Sequence, residues 1–145
     1  MGLTPFHIAL QVRDIKEAVM FYGGLLGLKQ GRSDESWVDF NMFGHQFVCH
    51  LNPDLGKDGK IKLHYNPVDS HSVPVPHAGV VLTMKDWLSF SSYLKDMEID
   101  FIIEPHLRFE GQPGEQATMF FLDPSGNALE FKAFKNIEEG LFKTE

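Results

Sequence analysis

The chain has 145 residues, of which 43% are apolar, and its formal net charge is −7. This length and apolar content predict one packed domain and exclude a disordered chain, while the negative charge argues against a nucleic-acid partner. No stretch reaches membrane-spanning length, no signal-peptide pattern is found, and the single Cys49 cannot form an internal disulfide. We therefore expect a cytoplasmic protein without a membrane partner.

The first predicted elements are a strand and a helix. Polar and apolar residues alternate over Phe6–Val12, which is typical of a half-buried strand. Asp14 is a good N-cap, and Glu17 three residues later gives the helix start the pattern of a capping box. Apolar residues then recur at helical spacing until Gly23-Gly24 and Gly27, which predict the end of the helix.

Two further strands are predicted before a long connection. Residues 36–43 and 45–51 are mostly apolar and meet at Gly44, which predicts a hairpin. Residues 52–76 are polar, contain Gly, Pro and Asp, and show little periodicity. We interpret them as a long connection, which is typical of a lid, a binding loop or a linker.

The second half of the chain shows the same order of elements. They are a strand over Ala78–Met84, a helix opened by Asp86, a strand over Phe101–Glu104, and a hairpin of Ala117–Leu122 and Ala128–Phe134 joined by the turn Asp123–Asn127. Asp86 follows its strand as Asp14 follows the first one, so each half is predicted to begin with a strand and a helix.

The two halves therefore have the pattern of an internal repeat. His7 and His77 stand at matching places, each at the start of a predicted strand. A repeat of half the chain predicts two copies of one supersecondary unit. We expect a single α+β domain of two βαβββ modules with eight strands, at about 4–52 and 76–135, with a connecting loop at about 53–75.

Three parts of the sequence resemble the vicinal oxygen chelate superfamily. They are Phe6–Leu10 with Phe21-Tyr22, Pro76–Val81, and Phe121–Phe131, which includes the Asp-Pro-Ser-Gly-Asn turn and Glu130. That superfamily includes glyoxalase I, extradiol ring-cleaving dioxygenases, fosfomycin-resistance proteins and bleomycin-binding proteins. The resemblance implies a glyoxalase-type eight-stranded incomplete barrel, a small-molecule substrate and a homodimer.

The resemblance also implies a metal site. The positions of the family's ligands correspond here to His7, His77 and Glu130, and the fourth position holds Val48, which cannot bind a metal. Two imidazoles and one carboxylate leave coordination positions open and suit one divalent ion, with Fe²⁺ favoured and Mn²⁺, Zn²⁺, Co²⁺ or Ni²⁺ as alternatives. The alternative interpretation is that these residues are structural or solvated, in a family member that binds its ligand without metal.

Several other residues are candidates for the site. His50 shares a strand face with Val48 and is our candidate acid or base, and we expect Val48, Arg108 and Phe120 to contact the substrate. Extradiol enzymes carry a catalytic His before the final turn, and no His stands at that place here. His106 lies earlier in the chain than that place, although a loop could return it. The loop residues His64 and His71 are expected to be solvated.

The sequence leaves three functions open. Our first expectation is a metal-dependent oxidoreductase that resembles extradiol dioxygenases and cleaves a catechol-like substrate, because the implied ligands fit and the 13 phenylalanines suit an aromatic guest. The alternatives are a glyoxalase-like isomerase or lyase, or a thiol transferase. A third candidate is a non-enzymatic protein that binds small molecules, like the bleomycin-binding members.

Overall fold

Strands in three open sheets form most of the regular structure in this computed structural model, which describes residues 2–144. The described chain divides into two compact units. Unit 1 comprises the described residues up to His64 together with Asp123–Asn127, and unit 2 comprises Tyr65–Leu122 and the described residues from Ala128 onward. No helix of the described residues is long and apolar enough to cross a membrane.

Unit 1 is built on a four-stranded sheet. Its elements are β1 (His7–Val12), α1 (Ile15–Ala18), a π-helical segment (Val19–Leu25), β2 (Lys29–Asp34), β3 (Trp37–Met42), β4 (His45–Leu51) and a 3₁₀ turn (Pro53–Leu55). The sheet order is β1-β4-β3-β2, in which β1 and β4 are parallel and the other neighbours antiparallel. His7 lies opposite Gln46 in the parallel pair.

The first helix begins as predicted and ends differently. The side chain of Asp14 accepts a hydrogen bond from the backbone N–H of Glu17 at 2.7 Å, which confirms the N-cap. The Glu17 carboxylate binds the guanidinium of Arg13 rather than closing a capping box. Gly23-Gly24 does not end the helix, because the chain continues there as a π-helical segment, and the left-handed Gly27, with φ 73°, follows it.

A buried carboxylate organises the interior of unit 1. The fully buried Tyr22 packs on Phe47 and donates its hydroxyl to Asp123 at 2.6 Å. The Asp123 side chain also accepts hydrogen bonds from the backbone of Ser125 and from the backbone and side-chain amides of Asn127. Burial raises the pKa of Asp123, and these hydrogen bonds oppose the rise. The Asp-Pro-Ser-Gly-Asn turn is therefore fixed by its own first residue.

The rest of the chain forms a second sheet and a separate hairpin. Its elements are β5 (His64–Val68), β6 (His71–Val75), β7 (His77–Ala78), β8 (Val81–Thr83), α2 (Met84–Asp96), β9 (Phe101–Arg108), β10 (Gln116–Leu122), β11 (Ala128–Phe134) and α3 (Ile137–Gly140). The five-stranded sheet has the order β7-β11-β10-β9, and β8 also pairs with β11. Both β7 and β8 run parallel to β11, while β9, β10 and β11 are antiparallel. The mixed α+β class is confirmed.

The long connection contains regular structure that the sequence pattern did not predict. Within 52–76 the structure contains the 3₁₀ turn and the hairpin of β5 and β6, whose tip residues Asp69 and Ser70 have positive φ. Most residues of the hairpin are exposed, so its sequence lacks the apolar alternation that marks a half-buried strand. The described residues contain eleven strands instead of eight, and this hairpin accounts for two of the additional ones.

Three other boundaries differ from the prediction. The strand expected over Ala78–Met84 is divided into β7 and β8. The cap of α2 is Thr83, whose hydroxyl accepts from the backbone N–H of Asp86, so Asp86 lies inside the helix and does not match the cap Asp14. Strand β9 continues past Glu104 to Arg108, and β2 was missed because all six of its residues are exposed.

Replacing Tyr22 by Phe removes a donor to the buried Asp123 carboxylate. We expect the free energy of unfolding near neutral pH to fall by about 1–3 kcal/mol. The Tyr22 hydrogen bond lowers the pKa of Asp123, so its loss raises that pKa further and favours the protonated carboxyl in the folded state. The cost of the variant is therefore largest near neutral pH and shrinks as the pH falls through the pKa of Asp123.

Urea unfolding of Tyr22→Phe at a series of pH values measures this effect. Tyr65→Phe, at an exposed tyrosine, is the matched control and should leave stability unchanged. A Tyr22→Phe cost that stayed constant with pH would contradict the role given to the ionised Asp123.

Candidate functional site

Unit 2 contains a cavity of about 400 Å³. Its apolar walls include Val73, Ile103 and Phe120, and its polar lining includes Thr118 and Glu130. This volume lies within the range of small-molecule sites, which combine apolar walls with a few convergent polar groups. The cavity is therefore the candidate substrate site in unit 2.

His77 and Glu130 lie side by side because of the sheet register. Strand β7 pairs in parallel with β11 so that His77 lies opposite Ala128, two residues before Glu130. The Nε2 atom of His77 is 3.2 Å from Oε1 of Glu130. A hydrogen bond of 2.6 Å joins Nδ1 of His77 to the carbonyl oxygen of Pro74. Because a carbonyl oxygen can only accept, the Nδ1–H is the donor. That bond fixes the ring and directs Nε2 at the carboxylate.

The Glu130 carboxylate is held from two sides. Its second oxygen, Oε2, accepts from the hydroxyl of Thr118 at 2.6 Å. Burial acts to raise the pKa of Glu130, but hydrogen bonds from His77 and Thr118 outweigh it and hold that pKa below its ordinary value. The hydrogen bond to Glu130 raises the pKa of His77, against the effect of burial. Lys132 lowers both pKa values through its positive charge.

Gly79 allows the close approach of the two strands. A Cβ atom at this position would lie 1.5 Å from the backbone oxygen of Glu130, so no residue other than glycine fits without moving the backbone. The gap between β7 and β8 lies at this point. The division of the predicted strand thus coincides with the place where Gly79 packs against the backbone of Glu130.

The His77–Glu130 pair fits a divalent metal in donor type and spacing. Two ligands bound to one ion at about 2.1 Å and at roughly 90–110° lie about 3.0–3.4 Å apart, and the observed separation of 3.2 Å falls in this range. A ligating His commonly donates its other ring N–H to a backbone carbonyl, as His77 does to Pro74. The described residues contain no group of three or more His, Cys, Asp or Glu placed to hold a metal ion.

Three predicted site residues belong to unit 1. His7 is exposed and donates from Nδ1 to Oε1 of Gln46 at 2.6 Å, which leaves its Nε2 available as a ligand. Val48 is buried in β4, and His50 is exposed near the end of that strand. The described lining of the unit 2 cavity contains none of these three residues.

Two predicted substrate contacts lie in the cavity with Glu130. Phe120 on β10 lies opposite Glu130. The ring of Phe120 contacts the ring of His77 edge-on, with the two ring centroids 5.2 Å apart. Arg108 also lines the cavity, where its guanidinium binds the carboxylate of Asp69 at 2.8 Å. The structure therefore brings together His77, Glu130 and Phe120, while Arg108 already has an anionic partner.

Two histidines of the described cavity lining were not assigned to the site from the sequence. His71 on β6 and His106 on β9 both line the cavity, and their rings stack with centroids 5.2 Å apart. The Nδ1 atom of each His contacts a backbone carbonyl two residues earlier in the chain. Extending β9 past Glu104 would have placed His106 on the face of Thr118, its partner in the sheet.

Comparisons with known proteins agree with this fold. A family model described as "Glyoxalase/Bleomycin resistance protein/Dioxygenase superfamily" matches residues 4–131. No curated protein matches the chain. A crystal structure of a glyoxalase/bleomycin resistance protein/dioxygenase from Alicyclobacillus acidocaldarius is 31% identical and aligns with a TM-score of 0.72 over 92% of this chain and 93% of that one.

Two more distant structures share the fold alone. A fosfomycin resistance protein from Listeria monocytogenes is 16% identical, with a TM-score of 0.62 over 96% of this chain and 98% of that one. A lactoylglutathione lyase from Agrobacterium tumefaciens is 16% identical, with a TM-score of 0.57 over 92% of this chain and 94% of that one. The shared architecture confirms the glyoxalase-type fold. These neighbours are named for different activities, so the likeness does not specify the reaction.

Substituting Gly79 by Ala should be strongly destabilising. The added methyl group would overlap the backbone of Glu130, and we expect the free energy of unfolding to fall by more than about 3 kcal/mol. Denaturant unfolding measures the change, and failure to obtain folded protein is the same outcome. Gly114→Ala is the control, because a Cβ there meets nothing within 4 Å. A Gly79→Ala variant as stable as the control would contradict the close approach.

Proposed function

This chain belongs to the glyoxalase/bleomycin resistance protein/dioxygenase superfamily, and on that premise we propose that it is a metal-dependent enzyme. His77 and Glu130 are two ligands of one divalent ion. His7, in unit 1, stays a predicted ligand on the resemblance alone. The reaction is extradiol-type oxidation of a small catechol-like substrate with Fe²⁺ as the metal. We further propose that the chain acts as a cytoplasmic homodimer.

The observation that carries the proposal is the orientation of His77. An imidazole beside a carboxylate could be a simple ion pair, but Nδ1 is engaged by the Pro74 carbonyl and Nε2 points at Oε1 of Glu130. The Thr118 hydroxyl holds the other carboxylate oxygen. Both donor atoms are thus oriented by neighbouring groups, which is the arrangement that tunes metal ligands in proteins.

The residues of the cavity supply the remaining functions. A bound divalent ion would act as a Lewis acid toward two adjacent oxygens of the substrate. Phe120 and Ile103 provide apolar walls for the ring and exclude water. His106 is the proposed group that moves a proton at its Nε2 atom, since its Nδ1 is at 2.9 Å from the Glu104 carbonyl. We assign this role to His106 rather than His50 because His106 shares the cavity with Glu130.

A second candidate is a reaction on the same site that needs no O₂. It would be a glyoxalase-like isomerisation or lysis, or a thiol transfer to an anionic substrate. The observation that favours it is the cationic side chain of Lys132 in the cavity lining. Binding without any reaction, as in the bleomycin-binding members, is the non-enzymatic alternative.

Removing either proposed ligand of unit 2 should remove the metal. We expect Glu130→Gln and His77→Ala to lower the affinity for Fe²⁺ or Mn²⁺ by at least about 100-fold, because each removes a donor atom. Elemental analysis after anaerobic reconstitution and dialysis measures the content per chain. Glu104→Gln, at an exposed carboxylate of β9, is the matched control and should retain the metal. His7→Ala tests the third ligand, and wild-type affinity in Glu130→Gln would refute the site.

Oxygen consumption separates the two candidate reactions. With Fe²⁺-loaded protein and catechol-type substrates, a dioxygenase consumes O₂ and stops under anaerobic conditions, whereas an isomerase, lyase or thiol transferase does not. We expect His106→Gln to lower kcat by about 100-fold with unchanged metal content, since general acid–base groups contribute at least that much. His50→Gln is the comparison, and an equal or larger loss in that variant would return the acid–base role to His50.

A further inference from the structure

Four charged side chains line the cavity of unit 2, and three of them have partners. Asp69 and Arg108 form an ion pair at 2.8 Å, and Glu130 is held by His77 and Thr118. The fourth is Lys132, which forms no ion pair with any residue that the structure describes. Its ammonium lies 5.6 Å from the centre of the Phe134 ring, and its side chain is half-buried. The cavity therefore presents one ammonium group that makes no ion pair with a carboxylate of the described residues.

The spacing of Lys132 and Glu130 fits a substrate of the size of one ring. The two residues are separated by one position on β11 and lie on the same face of the strand, opposite Thr118 and Phe120. Two residues of a strand span roughly 6–7 Å. This distance is comparable to one six-membered ring with a substituent at each end. The flat faces of Phe120, His71 and His106 in the same cavity suit a planar ring.

We propose that the cavity takes a small aromatic substrate that carries a carboxylate, and that Lys132 binds this carboxylate. The proposal rests on the proposed function, because it places the reacting oxygens of the substrate at the Glu130 end. Arg108 has a different role: its ion pair with Asp69 ties the tip of the β5–β6 hairpin to β9. Lys132 is thus the residue that determines specificity for an anion, through a charge-assisted hydrogen bond.

Benzoate and benzamide test the proposal, because they have the same shape and differ in charge. Isothermal titration calorimetry at low ionic strength measures the affinity of the protein for each compound. The protein is first treated with a chelator, so that benzoate cannot bind directly to a metal ion. We expect benzoate to bind at least about tenfold more tightly than benzamide, with a preference that shrinks as salt is added. Equal affinities, or no binding of benzoate, would overturn the proposal.

Three variants assign the preference to a residue. Lys132→Met should abolish the preference for benzoate, while Lys85→Met, which removes an exposed lysine of the same unit, should retain it. Arg108→Met should weaken the binding of both compounds and leave the ratio of their affinities unchanged, because loss of the ion pair with Asp69 releases the hairpin. Loss of the preference in Arg108→Met but not in Lys132→Met would overturn the assignment. These titrations do not depend on metal, so failure of the metal-binding experiments remains distinguishable from failure here.

Discussion

Parallel pairing between the first and last strands, in chain order, of the two larger sheets is the constraint on which each unit depends. Parallel neighbours cannot be joined by a tight turn, so a crossover must connect them, and both crossovers here contain a helix. The pairing sets the register of the first strand in each of these sheets. His7 lies opposite Gln46, and His77 lies opposite Ala128. The proposed metal ligands of unit 2 follow from the second of these registers, since it determines which residue of β11 lies beside the imidazole.

The two units use the same topology for different chemistry. In unit 2 the position two residues beyond the partner of the histidine is Glu130, and in unit 1 it is Val48. The polar groups of unit 1 lie elsewhere: Gln46 accepts from His7 and donates to Oδ2 of Asp39 at 3.1 Å. In unit 1 the nearby carboxylate, Asp39, therefore lies on the neighbouring strand β3, opposite Val48. Repetition of the backbone does not require the same side chains at matching positions, because main-chain hydrogen bonds fix the register and the side chains are free to differ.

The hairpin of β5 and β6 has no counterpart among the described residues of unit 1, and it supplies part of the cavity. Asp69 at its tip binds Arg108, and His71 stacks on His106. Connections between regular elements are common places for binding residues, because they tolerate changes in sequence that a core strand does not. The charge and the flat surfaces available to a substrate are therefore determined partly by a segment that contributes little to the buried core.

The sequence by itself determined the elements whose signals are local. The cap Asp14, the strands β10 and β11, the turn after Asp123 and the repeat of histidines could all be predicted, because each depends on spacing or on the conformational preference of a few neighbours. The repeat also places Val48 and Glu130 at matching positions, and each lies two residues beyond the strand partner of its histidine. The sequence likewise indicated His77 and Glu130 as candidates, through the resemblance of their surrounding motifs.

Only the tertiary structure decided the contents of the cavity. The exposed hairpin and β2 carry no apolar alternation. Their strands pair through backbone hydrogen bonds, which the pattern of apolar residues does not predict. The division at Gly79 depends on how closely another strand approaches it. The register of β9 with β10 brings His106 into the cavity lining, and the contact with Asp69 gives Arg108 a partner within the protein. These are contacts between residues distant in the chain, which composition and spacing do not encode.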